Sequence, residues 1–269
     1  MIQLNSETYF SPEMQRKYMG VSQYKSFEKC PACAIAELNG AYTRPSTTAL
    51  LVGSYIDSHF EGTLDLFQAT HSELFKRDGT LKAEYAQAEE IINRIERDKL
   101  FIEYMSGKKQ VIMTGNIAGV GIKIKIDSLC PDKIVDLKIM KDFAPIYVEE
   151  QGRLPWYEAW RYDLQGAVYQ EIYRQNTGEV LPFYLAAATK EKVPDIGIWH
   201  ISDAALEFEL EQFKEHAPIY DAMKKGVIEP PRCGRCDYCK ETKVLTEVIE
   251  SEDEFDEQCT TARKINKGY

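Results

Sequence analysis

Apolar residues recur every three or four positions through the first hundred residues, which is the spacing of amphipathic helices. The stretch VSQYKSFEKCPACAIAELNG predicts a helix that is interrupted near Cys30-Pro31 and ends at Gly40, because proline suits a first helical turn. TTALLVGSYIDSHFEG predicts another helix, with His59 near its end. Residues 81–106 predict a further helix with one solvated face.

The pattern changes at about residue 110. QVIMTGNI, VGIKIKIDSL and KIVDLKI are short, β-branched and separated by Gly or Pro-Asp, which is typical of a meander of strands. The long segment PWYEAWRYDLQGAVYQEIYRQ then predicts a helix, LPFYLAAATK and IGIWHI predict strands, and residues 203–225 predict an amphipathic helix. This order of elements predicts an α/β sandwich and not a βαβ array.

The chain has 269 residues, 44% of them apolar and 28% charged, which is ordinary for a globular protein with a substantial core. We expect one domain over residues 1–244. It would consist of an N-terminal helical part (1–108), a sheet core (109–202), and a C-terminal helix with a cysteine-rich segment (203–244). Residues 245–269 are predicted to form an acidic, flexible tail.

The formal charge of −10 argues against a broadly basic nucleic-acid-binding surface. Seven acids fall within EVIESEDEFDE, however, so the rest of the chain is nearly neutral and a basic groove remains compatible with it. No apolar run approaches the roughly 20 residues that span a bilayer, and MIQLNSETYF lacks the features of a secretion signal. We therefore expect a cytoplasmic protein without membrane contact, whose thiols are reduced.

Three charged residues stand out on the predicted strands. Side chains alternate along a strand, so pairing GIKIKID with KIVDLKI can bring Asp127, Asp136 and Lys138 to one side of the sheet. Two neighbouring carboxylates repel each other unless a cation neutralises them, and their oxygens suit Mg²⁺ or Mn²⁺. A lysine beside such a metal can orient a water and stabilise charge on a phosphate.

Two further positions accompany this set. In the helix that follows, Gln165 lies on one face with tyrosines that include Tyr169, and an amide within an aromatic stripe needs hydrogen-bond partners. Upstream, His59 precedes the acids. A histidine, an aspartate, an Asp-x-Lys and a Gln-x-x-x-Tyr, in this order on helix, strand, strand and helix, form a much rarer combination than any one of them.

On GSYIDSHFEG, GIKIKIDSL, IVDLKIMKD and YDLQGAVY, the chain resembles the PD-(D/E)XK nuclease superfamily. Within it the resemblance is to the RecB-like and phage exodeoxyribonuclease VIII (RecE-type) branch, and it runs from about Ser22 to Cys239. The resemblance implies a restriction-endonuclease-like core, which is a central mixed β-sheet flanked by helices. It also implies a Mg²⁺- or Mn²⁺-dependent DNA exonuclease of the phage or prophage recombination type.

By motif position, the resemblance assigns roles to individual residues. His59, Asp127 and Asp136 would be metal ligands, together with the carbonyl of Leu137. Lys138 would serve the attacking water. Gln165 and Tyr169 would hold the site or contact the DNA backbone, and the second acid is Asp136 where many members have Glu.

The cysteines suggest a second metal site. PPRCGRCDYCKE places Cys233, Cys236 and Cys239 in a C-x2-C-x2-C run, and EKCPAC supplies Cys30 and Cys33 about two hundred residues earlier. Closely spaced thiols in a reducing compartment favour a metal or a cluster, since thiolates are soft ligands. Cys30 or Cys33 could complete either a zinc site or a cubane.

Some RecB-like nucleases hold an iron–sulfur cluster with one cysteine before the nuclease motifs and three after them. The resemblance therefore implies a [4Fe–4S] cluster on Cys30, Cys233, Cys236 and Cys239, with structural Zn²⁺ as the alternative. The spacing before the last cysteine is shorter here than in that family.

A non-catalytic reading stays open at this stage: an iron–sulfur or zinc DNA-binding adaptor on a decayed nuclease fold. A zinc hydrolase is disfavoured because H-E-x-x-H is absent, and no Walker A loop is present to power a motor. By analogy with the family, the partners would be linear duplex DNA, a single-strand annealing protein and further copies of the chain.

Overall fold

The computed structural model describes residues 3–246 and 248. The helices in this part of the chain are α1 (Pro12–Lys17), α2 (Val21–Lys29), α3 (Pro31–Leu38), α4 (Thr48–Glu61), α5 (Leu64–Thr70), α6 (Ala83–Glu96), α7 (Lys99–Tyr104), α8 (Trp156–Ala159), α9 (Tyr162–Thr177), α10 (Asp203–Lys224) and α11 (Asp237–Glu241), with a 3₁₀ turn at Ser72–Leu74. The strands are β1 (Lys108–Ile117), β2 (Val120–Leu129), β3 (Ile134–Met140), β4 (Ile146–Val148), β5 (Gly152–Leu154), β6 (Phe183–Thr189) and β7 (Ile196–Ile201). The predicted acidic tail lies outside the described residues from position 249 onward.

Five strands form one mixed sheet in the order β1-β2-β3-β6-β7, and β4 and β5 form a separate hairpin. Neighbouring strands are antiparallel except β3 and β6, which run parallel. The chain segment that connects these two strands contains α9. Helices cover both faces. The predicted α/β class, with a mixed central sheet flanked by helices, is confirmed.

Each face of the sheet carries its own hydrophobic core. On one face, isoleucines of β2 pack with α9 and with Phe213 of α10. On the other, β3 and β6 pack with α4 and α6, where Ile56 and Ile91 are fully buried. Because apolar helices cover both faces, the strands between them are rigid supports for any polar group they carry.

The β2–β3 pairing is short. It comprises only two residue pairs, Ser128 with Val135 and Leu129 with Ile134. Beyond these pairs β3 diverges from β2 and stays paired with β6 along its whole length. We call this point of divergence the β2–β3 fork.

The edge of β2 that β3 leaves free is taken by the chain between α1 and α2. The amide of Met19 donates to the carbonyl of Gly121 at 2.8 Å, and the amide of Lys123 donates to the carbonyl of Met19 at 3.1 Å. These bonds satisfy backbone groups that a strand edge would otherwise leave unpaired. The N-terminal helices are thereby attached to the strand that carries Asp127.

The long helix predicted from residue 155 is in fact two helices. Arg161 separates α8 from α9 and has a φ of 55°, in the left-handed region. Its guanidinium bonds Glu28 at 3.0 Å and Glu209 at 2.5 Å, so tertiary ion pairs hold the residue in this conformation. The single helix predicted over 81–106 is likewise divided, since Asp98 caps the start of α7.

In the part of the chain that the structure describes, no helix is both long and apolar enough to cross a bilayer.

The close packing of α9 on β6 depends on Gly166. A side chain at this position would collide with the Phe183 ring and the Leu206 side chain. We expect Gly166→Ala to lower the free energy of unfolding by about 1–3 kcal/mol, because inserted atoms force a packed core to shift. Urea denaturation measures this. Gly53→Ala in α4, where nothing lies within 4 Å of the added carbon, is the matched control and should be neutral or slightly stabilising.

Candidate active site

Asp127 occupies the β2–β3 fork. Its Oδ2 accepts a hydrogen bond from the amide of Leu137 at 3.0 Å, so a carboxylate stands where a backbone carbonyl of β2 would pair in a continuous ladder. Gln110, in the left-handed conformation on β1, donates from Nε2 to Asp127 Oδ1 at 3.3 Å. The end of the β2–β3 ladder thus fixes this carboxylate against β3.

Asp136 and Lys138 lie on the β3 arm of the fork. They are two residues apart and therefore share one face of the strand. Asp136 is 1% exposed, its Oδ1 accepts from Gln165 Nε2 at 2.6 Å, and its Oδ2 forms an ion pair with the ammonium of Lys138. The four residues predicted from the strands and from α9 therefore converge.

Tyr169, one turn after Gln165 on α9, contacts the backbone of β2. Its hydroxyl donates to the carbonyl of Lys125 at 3.1 Å, on the edge that the fork leaves free. Tyr169 therefore holds β2 in place beside the acids, whereas Gln165 contacts a carboxylate directly. The sequence alone left both of these roles open.

The structure gives the predicted ligand His59 a different partner. Its Nε2 lies 2.8 Å from Glu96 on α6, at the protein surface, and none of its described contacts involves Asp127, Asp136 or Lys138. Two residues correspond to about 200° around a helix, so Asp57 projects from nearly the opposite side of α4. Asp57 is the residue of this segment that lies near the fork.

Asp57, Glu61, Gln110, Asp127 and Leu137 line one small pocket. Asp57, Glu61 and Gln110 are not among the site residues predicted from the sequence. Asp57 and Glu61 are four residues apart on α4, which places them on one helix face and could have been recognised as a signal. No pattern in the sequence singles out Gln110.

The acids in this site are held at unfavourable electrostatic cost. Burial, together with repulsion from Glu61 and Asp136, raises the pKa of Asp57 to about 7. Burial and repulsion by Asp136 and Asp57 raise the pKa of Asp127 well above its ordinary value. Burial is the larger cause of both shifts, and repulsion among the carboxylates adds to it.

Lys138 responds in the opposite sense. Burial alone would lower its pKa, but the charges of Asp136, Tyr162 and Asp127 outweigh burial and raise it above the ordinary value. The Lys138 ammonium pairs with Asp136, and its charge also acts on Asp57 and Asp127.

The chemistry of these donors suits a divalent cation, but the oxygens of Asp57, Asp127 and Asp136 do not all lie within 4.8 Å of one another. Carboxylate and carbonyl oxygens are the ligands that Mg²⁺ and Mn²⁺ prefer. The Gln110 Oε1 atom is buried and has no hydrogen-bond partner among the described residues. Asp57, Asp127 and Asp136 would hold the ion, with the carbonyl of Leu137.

The four cysteines singled out in the sequence also come together. One ligand atom from each of Cys30, Cys233, Cys236 and Cys239 lies within 4.8 Å of the others, between the start of α3 and α11. The Sγ of Cys239 is 3.6 Å from that of Cys30 and 3.9 Å from that of Cys233. Cys33 lies outside this group, with its Sγ 3.8 Å from the guanidinium of Arg44.

Comparisons with known proteins agree with this geometry. Residues 20–242 match the family described as PDDEXK-like domain of unknown function (DUF3799). A solved structure described as "Putative exonuclease" from Eubacterium rectale is 48% identical, covers 94% of this chain and 98% of its own, and superposes with a TM-score of 0.91. A second solved structure, described as SSO0001, covers 82% of this chain and 96% of its own at 12% identity. Its TM-score of 0.28 is too low to indicate a shared fold. No curated protein matches the chain.

The position of Asp57 predicts its role in metal binding. We expect Asp57→Asn to weaken Mn²⁺ binding about tenfold or more, because one anionic oxygen ligand is lost. The matched control is His59→Gln on the same helix, which should leave the affinity unchanged. Isothermal titration calorimetry on the two variants measures the difference, and a loss confined to His59→Gln would reverse the assignment.

Thermal denaturation of the metal-free protein shows whether Asp57→Asn still folds. The pKa of Asp57 is raised on folding from an ordinary value of 3.8 to about 7, so its ionisation destabilises the fold progressively as the pH rises through this window. We expect Asp57→Asn to melt at a higher temperature than the unsubstituted protein above pH 7. The two should melt alike below pH 4.

Proposed function

Because this chain belongs to the PDDEXK-like family DUF3799, which confirms the superfamily resemblance, we propose that it is a divalent-metal-dependent DNA exonuclease that hydrolyses phosphodiester bonds. The observation that carries the proposal is the convergence of Asp127, Asp136 and Lys138 at the β2–β3 fork. Exonucleolytic action is supported by the likeness to the structure from Eubacterium rectale that is described as an exonuclease. Assignment to the phage or prophage recombination type rests on the resemblance of the motifs alone.

In this proposal each side chain has a separate task. Mg²⁺ or Mn²⁺, when bound, supplies Lewis-acid polarisation of the phosphate and lowers the pKa of a coordinated water. Asp57, Asp127 and Asp136 hold the ion, and Gln165 keeps the Asp136 carboxylate in its orientation through Oδ1. Lys138 is protonated at neutral pH because its pKa is raised. As a cation it stabilises negative charge on the phosphate oxygens and orients the attacking water.

The proposed substrate is linear duplex DNA. Lys138 and Lys125 lie near the acids and are suited to contact its phosphates, whereas burial lowers the pKa of Lys25 to about 7, so that Lys25 is only partly charged at neutral pH. The Nζ of Lys25 lies 4.8 Å from the centre of the Tyr162 ring, and that of Lys138 lies 4.7 Å from the same centre. The charge of Lys125 acts on Asp57 and Glu61. Lysines thus lie beside the acids even though the chain as a whole is acidic.

An annealing-protein partner, homo-oligomerisation and a cytoplasmic location complete the proposal. They are supported by the resemblance of the motifs.

For the cysteine site we propose a single Zn²⁺ ion in preference to the [4Fe–4S] cluster that the resemblance implies. A tetrahedral zinc with bonds of about 2.3 Å places its sulfur ligands about 3.8 Å apart. Two of the six separations, 3.6 and 3.9 Å, bracket that value, and all six are within 4.8 Å. A cubane, with its ligands outside a four-iron cube, holds cysteine sulfurs much farther apart.

The backbone around these thiols also suits metal binding. The amide of Cys236 donates to Cys233 Sγ at 3.3 Å, and the amide of Cys239 donates to Cys236 Sγ at 3.4 Å. Hydrogen bonds from the amides of Cys236 and Arg235 lower the pKa of Cys233 to about 6, whereas burial raises the pKa values of Cys30 and Cys236. Cys233 is therefore the thiol of this group that most readily becomes the thiolate that a metal needs.

The nuclease proposal predicts that Lys138→Gln slows degradation of linear duplex DNA in Mg²⁺ or Mn²⁺ by about 10²- to 10³-fold, because a preorganised cation is lost. Lys141→Gln is the control, since the Lys141 side chain is 93% exposed and pairs only with Asp142. Release of acid-soluble nucleotides measures the rate. Undiminished degradation by Lys138→Gln would reject this role, and DNA binding without turnover in either metal would favour the adaptor alternative.

The zinc proposal predicts about one zinc per chain by elemental analysis and no acid-labile sulfide in protein purified without oxygen. We expect Cys30→Ser to lose the zinc and to melt at a lower temperature, because the link between α3 and the C-terminal segment is broken. Cys33→Ser, three residues away and also buried, should keep both properties. A brown protein with iron and labile sulfide in equal amounts would establish the cluster instead.

A further inference from the structure

A cavity of about 410 Å³ lies among α1, α2, α3 and β2, outside the site described above. Its volume is within the range of small-molecule sites. One wall is aromatic, with Tyr9 and Phe10. The rest of the lining includes the neutral hydrogen-bonding side chains of Gln15, Ser22 and Asn39, and the acid Glu37, which pairs with Arg44.

The cations around this cavity are already committed to the protein. Lys123 is 1% exposed, its ammonium donates to the carbonyl of Tyr9, and its Nζ lies 4.6 Å from the centre of the Tyr9 ring. Arg16 donates from Nη2 to the carbonyl of Leu38 at 3.4 Å. With both charges engaged, the cavity is better suited to a neutral, flat, hydrogen-bonding group than to a phosphate.

The cavity is directly connected to the strand of the fork. Lys123 and Asp127 are four residues apart on β2, which corresponds to about 13 Å along the strand. Between them, the Nζ of Lys125 lies 5.4 Å from the centre of the Phe10 ring, and the Phe10 side chain is 65% exposed. An aromatic and cationic surface therefore leads from the acids to the cavity.

From these observations we propose that the cavity binds an unpaired nucleobase, on a strand end of the DNA or on a released nucleoside 5′-monophosphate. The inference rests on the proposed nuclease function. Aromatic rings provide stacking surfaces for bases, and amide and hydroxyl groups bond to their edges. The surface between Phe10 and Lys125 would carry the connecting sugar and phosphate.

The test uses the full chain with Ca²⁺ in place of Mg²⁺, so that binding is followed without cleavage. Each fluorescent duplex carries one unpaired nucleotide, at either the 5′ or the 3′ end. In one version this nucleotide has its base, and in the other it is abasic. We expect the normal end to bind about fivefold or more tightly, the effect of one stacked base. A calorimetric arm compares a deoxynucleoside 5′-monophosphate with deoxyribose 5-phosphate.

Ser22→Trp, at an exposed position on α2 that lines the cavity, should abolish the preference for the base by filling the space. Glu13→Trp, exposed on α1 and outside the lining, should retain it. Gln15→Ala, which removes polar contacts without adding bulk, should reduce the preference if Ser22→Trp fails to fold by circular dichroism.

The outcomes separate this proposal from the nuclease assignment. A preference in the duplex arm identifies the strand end as ligand, and one confined to the calorimetric arm identifies the released nucleotide. Equal binding with and without the base in both arms overturns the pocket, even if DNA is degraded in Mg²⁺. A base preference that Ser22→Trp removes, in a protein that degrades no DNA, supports the pocket and rejects the nuclease.

Discussion

Three carboxyl groups, on Asp57, Asp127 and Asp136, repel one another around the β2–β3 fork, and the rest of the site depends on how the backbone holds them there. The decisive feature is the end of the β2–β3 ladder. If pairing continued past Ser128, the Leu137 amide would bond to β2 and no longer to the Asp127 carboxylate. Interrupting a sheet costs backbone hydrogen bonds, and here the edge is repaired from outside the sheet by other parts of the chain.

That repair explains why the N-terminal helices belong to the active part of the molecule. Met19 takes the amide and carbonyl positions that β3 vacates, and Tyr169 takes the carbonyl of Lys125. Both contacts lie on the strand that carries Asp127. Rigid cores on the two sheet faces then resist relaxation, so the excess negative charge persists until a cation neutralises it.

Much of this arrangement could be predicted from the sequence, because alternation along strands placed Asp136 beside Lys138 and helical spacing placed Gln165 on the inner face of α9. Two features could not be predicted. The spacing within GSYIDSHFEG does not say which side of α4 faces the sheet, so the motif points to His59, whereas the structure brings Asp57 to the fork. The break at Arg161 depends on ion pairs with residues far away in the sequence.

The cysteine site has a consequence for the lysines near the fork. Cys30 directly follows α2, the helix that carries Lys25, and the other three thiols lie beyond α10. A metal that joins these segments restricts α2 to one position on the sheet, because a bond between distant parts of the chain removes freedom from both. The ammonium of Lys25, which donates to the Trp160 carbonyl at 2.8 Å, is then held near the Tyr162 ring and Lys138. In the proposed function, an ion held by the cysteines would thereby help to fix Lys25 beside Lys138, although it lies remote from the acids.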